Sequence, residues 1–189
     1  MNKLSQYGLI LMVLLLTGAC SFSPPIKDYS DRSVVYGYLD TSDAPAGLTN
    51  THFYQYKPVT KKPYWSMATK KIGKGYIFYH TGLPHGSYQV SDFIGQKCFL
   101  IFCGNTIYYY EMPKQGKNGT AIKIEKPGVY FLGNFKYKKI KTGFFKRSKF
   151  DIIPTENHPP QSAMMEHIVK KAPKKEVLLN RLNDHQKTL

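Results

Sequence analysis

The chain has 189 residues and carries 27 Lys plus Arg against 12 Asp plus Glu, a formal net charge of +15. That length excludes a chain too small to bury a core and suits one domain with a short appendage. Its aromatic residues are 15 Tyr and 11 Phe against one Trp, types that pleated, half-buried surfaces favour, so the expected body is mainly β.

The chain opens with Lys3, an apolar run from Leu9 to Leu16, and Thr17-Gly18-Ala19 directly before Cys20. One positive charge, a short apolar segment and small residues at a cleavage point make a secretory signal peptide over residues 1–19. Its apolar stretch is shorter than the about 20 residues that a spanning helix needs. Thr17-Gly18-Ala19-Cys20 resembles a bacterial lipobox, with Thr17 where leucine is most usual. The resemblance implies that Cys20 is acylated, palmitate included, and becomes the mature amino terminus. It also implies the outer membrane, because retention at the inner membrane generally follows from Asp after the lipidated Cys, and here Ser21 stands there. Each buried methylene of an acyl chain contributes about 0.8 kcal/mol, so two or three chains hold a protein stably at a bilayer. Residues 20–32, with Pro24 and Pro25, are expected to be a stiff polar tether.

From Ser33 to Ile153 turn residues divide the chain into short strands. Val34–Leu39 places Tyr36 and Tyr38 on one face and Val35 and Leu39 on the other; Thr51–Lys57 follows with Phe53, Tyr54 and Tyr56. Tyr64–Ile72 and Tyr76–Thr81 flank Gly73-Lys74-Gly75, a hairpin signal. Leu83-Pro84-His85-Gly86 reads as a turn into the strand Ser87–Ile94. Further strands are expected at Phe99–Phe102, Thr106–Met112, Ala121–Glu125, Val129–Ile140 and Phe144–Ile153, with Lys126-Pro127-Gly128 as a turn. Eight to ten short strands at near-regular spacing argue a sandwich over residues 33–153. Residues 154–189 are a linker through Pro159-Pro160 and two helices. Met164, Met165, Ile168 and Val169 recur at helical spacing in the first, and Val177, Leu178, Leu179 and Leu182 in the second. Pro173 is expected in the first turn of the second helix. The apolar faces of both helices are expected to dock on the sandwich, since short isolated helices are marginal in water.

Leu83-Pro84-His85-Gly86-Ser87-Tyr88-Gln89-Val90 and Ile122-Lys123-Ile124-Glu125-Lys126-Pro127-Gly128-Val129-Tyr130-Phe131-Leu132-Gly133 resemble phrases of small immunoglobulin-like or transthyretin-like sandwiches, the carboxypeptidase regulatory-like domains, and a group of bacterial lipoproteins. The resemblance implies an immunoglobulin-like/transthyretin-like β-sandwich acting as a binding or scaffolding module. No active-site residue carries over.

The residues themselves point the same way. Ser87 in Gly86-Ser87-Tyr88 lacks the second glycine of a nucleophile elbow. His80 and His85, with Asp92 the nearest acid, fall short of the three or four converging ligands a metal needs. Neither a catalytic set, a metal nor a cofactor is expected. Cys98 and Cys103 leave two readings. A disulfide between them requires the intervening Phe99–Phe102 to fold back, since the Cα atoms of a bridge lie within about 7 Å. Two reduced thiols in one strand would face opposite sides.

Lys136, Lys138, Lys139, Lys141, Lys146 and Arg147 stand among aromatics with no acid between Lys126 and Lys149. With Phe131, Phe135 and Tyr137 inward, Lys136 and Lys138 point outward as a ridge for an anionic partner. An exported chain has little access to nucleic acid, which leaves a lipid or cell-wall surface or an envelope protein. Tyr108-Tyr109-Tyr110 is a second candidate surface, since exposed rings stack on sugars or fill interface pockets. The expected protein is a periplasm-facing outer-membrane lipoprotein that binds or scaffolds without catalysis. The alternative is an envelope enzyme or ligand-binding protein acting on cell-wall glycans.

Overall fold

The computed structural model describes residues 26–44, 46–99, 102–111, 120–140 and 149–189. Within them the protein is mainly β, with two helices at its C-terminal end. The strands are β1 (Ser33–Asp40), β2 (Gly47–Lys57), β3 (Tyr64–Ile72), β4 (Gly75–Leu83), β5 (Gly86–Phe99), β6 (Phe102–Glu111), β7 (Ile122–Ile124), β8 (Val129–Ile140) and β9 (Lys149–Pro154). The helices are α1 (Gln161–Lys171) and α2 (Glu176–Lys187). All strands belong to one mixed sheet in the order β6-β5-β2-β3-β4-β1-β8-β9, with β7 paired to β5. The β1–β8 pair is parallel.

The sheet is bent. Phe78 of β4 and Phe93 of β5 are separated by three strand spacings in that order, about 14 Å in a flat sheet, yet their ring centroids are 5.4 Å apart. The bend encloses one apolar core, to which Phe53 and Val90 contribute from one half of the sheet and Val35, Phe78 and Phe135 from the other. β3 is the strand at the bend. Its first half pairs with β2, Tyr64 opposite Tyr54, and its second half with β4, Ala68 opposite Tyr79.

Every residue of β1 is buried, because both of its faces are covered. Val35 and Leu39 enter the enclosed core, while Val34, Tyr36 and Tyr38 face the helices. Gly37 is required between them: a Cβ there would lie 2.5 Å from the Phe78 ring. The helices bury Met164, Met165, Ile168, Leu178 and Leu182 completely against Tyr36, Tyr38, Ile77 and Tyr79. Full burial of such side chains contributes about 1.5–3 kcal/mol each, more than two short helices could gain alone.

Four details differ from the sequence expectations. Pro173 closes α1 rather than opening α2: Ala172 before it is extended at φ −60, ψ 148, as a residue preceding proline prefers, and α2 begins after Lys175. Phe131 and Phe135 do not share a face. Gly133, at φ 122, sits where two steps along β1 (Tyr36 to Tyr38) match three along β8 (Phe131 to Asn134). This extra residue turns Phe131 to the helices and Phe135 to the enclosed core. Residues 26–32 are part of the body: Tyr29 is buried, and the Arg181 guanidinium donates to the carbonyls of Tyr29, Ser30 and Arg32. Finally, Phe99 and Phe102 are opposed positions on two strands, not one strand; Leu100 and Ile101 lie outside the described residues.

Candidate ligand-binding cleft

Because β3 pairs with β4 only from Ala68 onward, the start of β3 and the end of β4 diverge, and residues 26–32 form a third wall beside the gap. The result is a cleft of about 790 Å³. Trp65, the only tryptophan of the chain, stands in it edge-on to His80 with centroids 5.5 Å apart. Its indole N–H donates to Gln55 Oε1 at 3.2 Å, which fixes the ring. Gly82 N–H donates to His80 Nδ1 at 3.0 Å, so Nε2 is the nitrogen that carries the proton in the neutral imidazole. Burial, and secondarily the Arg32 charge, push the His80 pKa down to about 4; at neutral pH the ring is uncharged.

The opposite wall is charged. Asp28 accepts from the backbone N–H and the hydroxyl of Ser30, both at 2.8 Å, and these bonds hold its carboxyl below the usual range. Arg32 Nε lies 3.0 Å from Asp31 Oδ1, but without hydrogen-bond alignment, so this buried nitrogen has a charge partner and no directed acceptor. Lys27 and Lys62 complete the rim, and among the described residues neither has an acid within ion-pair distance. Tyr64, half exposed, leads out of the cleft onto the outer face of β2 and β3, where it packs on Tyr54 at 5.2 Å.

On that outer face Ser66, His52 and Asp92 stand in one row across β3, β2 and β5. His52 Nδ1 lies 2.8 Å from Asp92 Oδ1, and its Nε2 3.1 Å from Asn50 Nδ2. Ser66 Oγ donates to Asn50 Oδ1 at 3.0 Å. The hydroxyl is thus bonded to the amide and not to the imidazole, where a nucleophile would have to sit. Asp92 pairs with His52 rather than with His80 or His85. Among the described residues no group of three His, Cys, Asp or Glu could hold a metal ion.

Of the sequence candidates, Cys20 lies outside the described residues, as do Lys141, Lys146 and Arg147. Lys138 and Lys139 are exposed at the end of β8. Lys136 is bound to Asp43 of the β1–β2 connection at 2.9 Å, which raises its pKa through hydrogen bond and charge. Cys98 and Cys103 are opposed backbone positions of the β5–β6 hairpin; their side chains, and those of Tyr108, Tyr109 and Tyr110, lie outside the described residues.

The cleft itself was missed by sequence reasoning, since its walls come from three separated segments. The lone Trp65 beside Tyr64, after the basic Lys61-Lys62, is the one local signal that marks it. Comparison with protein-family models, with curated proteins and with solved structures finds no match.

Proposed function

We propose that the protein is a non-enzymatic binding or scaffolding module of the bacterial outer membrane, held there by acyl chains on Cys20. The bent sheet is, in this reading, an immunoglobulin-like or transthyretin-like sandwich thickened by its two helices. The observation that carries the proposal is Cys20 behind a short apolar leader and small residues. The Arg181 clamp on residues 29–32 supports it by leaving only residues 21–25 between the anchor and Ile26. Six extended steps reach about 20 Å, which would hold the cleft close to the bilayer and facing the periplasm. Lys138 and Lys139, continued by Lys141, Lys146 and Arg147, would serve an anionic lipid or cell-wall surface. The opposed positions of Cys98 and Cys103 suit a bridge in an oxidising compartment. Metabolic labelling with palmitate tests the anchor: label is expected on the wild type and not on Cys20→Ala, and equal labelling of both would sink it.

A further inference from the structure

We propose that the cleft between β3, β4 and residues 26–32 binds a pyranose sugar bearing one anionic group, with Trp65 as its stacking surface and Lys27 and Lys62 as its anion contacts. The inference rests on the binding-module reading for its setting and on the cleft for its chemistry.

The volume of about 790 Å³ is within the range of small-ligand sites, about 300–1,000 Å³. More of the lining surface is apolar than polar, and the charged side chains of Lys27, Asp28, Asp31, Arg32 and Lys62 stand around it. A sugar suits both. Its ring has C–H faces that stack on aromatic rings and hydroxyls that both donate and accept. Trp65 is already fixed by its bond to Gln55, so little ordering cost falls on binding. The neutral His80 supplies an uncharged polar group at the same wall.

The charge balance selects the substituent. Three cations, Lys27, Arg32 and Lys62, face two carboxylates, Asp28 and Asp31. Both carboxylates are engaged, Asp28 by Ser30 and Asp31 by Arg32, whereas the two lysines have no acid partner among the described residues. An anionic group between them would form charge-assisted bonds, roughly twice as strong as neutral ones. A carboxylate on an amino sugar, as in a cell-wall glycan, and a phosphate on glucosamine, as in an envelope glycolipid, offer the same chemistry.

The test uses the purified full-length protein in detergent. Because Trp65 is the only tryptophan, intrinsic emission reads the cleft directly. The probes are the N-acetylglucosamine–N-acetylmuramic acid disaccharide, a phosphorylated glucosamine disaccharide, and neutral chitobiose, each also followed by calorimetry. A saturable emission change with at least one anionic sugar is expected, the responding sugar identifying the source. Chitobiose and the Lys62→Ala variant should each bind about tenfold more weakly. Equal binding of chitobiose overturns the anionic requirement. Neither heat nor an emission change with either anionic sugar overturns the site. Palmitate labelling does not depend on the cleft, so loss of the anchor and loss of the site are separately visible.

Discussion

The helix-covered face of β1 and β4 and the open end where β3 leaves β4 use the same residue types in opposite ways. Under the helices Tyr36 is fully buried; its hydroxyl donates to Gln161 Oε1 at 3.2 Å and lies 3.4 Å from His185 Nε2, and burial pushes its pKa up to about 12. At the open end Tyr64 is half exposed and borders a cleft whose rim lysines, Lys27 and Lys62, have no acid partner among the described residues. What separates the two regions is the cover that the remaining chain supplies. The Tyr36 hydroxyl that the helices shield is bonded within the fold, whereas the Trp65 ring and the cations at the open end border a cleft.

The enclosed core and the helical layer can be compared by truncation. Phe78 touches Phe93 and Phe135 and fills the space over Gly37, so Phe78→Ala should cost about 3–5 kcal/mol. Leu182→Ala, equally buried beneath α2, should cost nearer the low end of about 2–5 kcal/mol, because a terminal helix can settle into the space. Urea unfolding measures both; a larger loss for Leu182 would make the helices, and not the bent sheet, the dominant source of stability.

Acidification should separate the regions next. His80 has its folded pKa depressed to about 4 from 6.5 by burial and by Arg32, and burial lowers His167 and His185 in the same direction. As pH falls through about 6.5, the unfolded chain takes up protons before the fold does, so stability present above that pH declines until His80 itself protonates near pH 4. His80→Gln should flatten part of this decline in urea midpoints taken across the window. An unchanged slope would mean that His80 is not shielded at the cleft wall. The smallest effect is expected at the helical interface, where Tyr36→Phe removes a hydroxyl bonded to Gln161 and should cost about 1 kcal/mol.

Much of the chain organisation was legible. Turn residues bounded the strands Tyr64–Ile72 and Val129–Ile140 where they are observed, and spacing marked both helices. Period two also placed Tyr36 and Val35 on opposite faces correctly. It failed at Phe131 and Phe135, because one extra residue at Gly133 reverses the alternation and nothing in the local sequence distinguishes a bulge glycine from an ordinary one. Pro173 was ambiguous for a similar reason: a proline two residues before a helix cap and one inside the first turn have nearly the same context. The cleft was illegible because its charges and its aromatics become neighbours only when residues 26–32 are drawn onto the body by Arg181, about 150 positions away in the chain.

The central claim is that the open end meets an envelope ligand while the helical face serves the fold. A photo-crosslinking residue placed in living cells at Tyr64, beside the cleft, and separately at Glu166, on the exposed side of α1, tests it most directly by mass spectrometry. The account predicts a saccharide-bearing adduct from position 64 and none from position 166; adducts from 166 alone would contradict it.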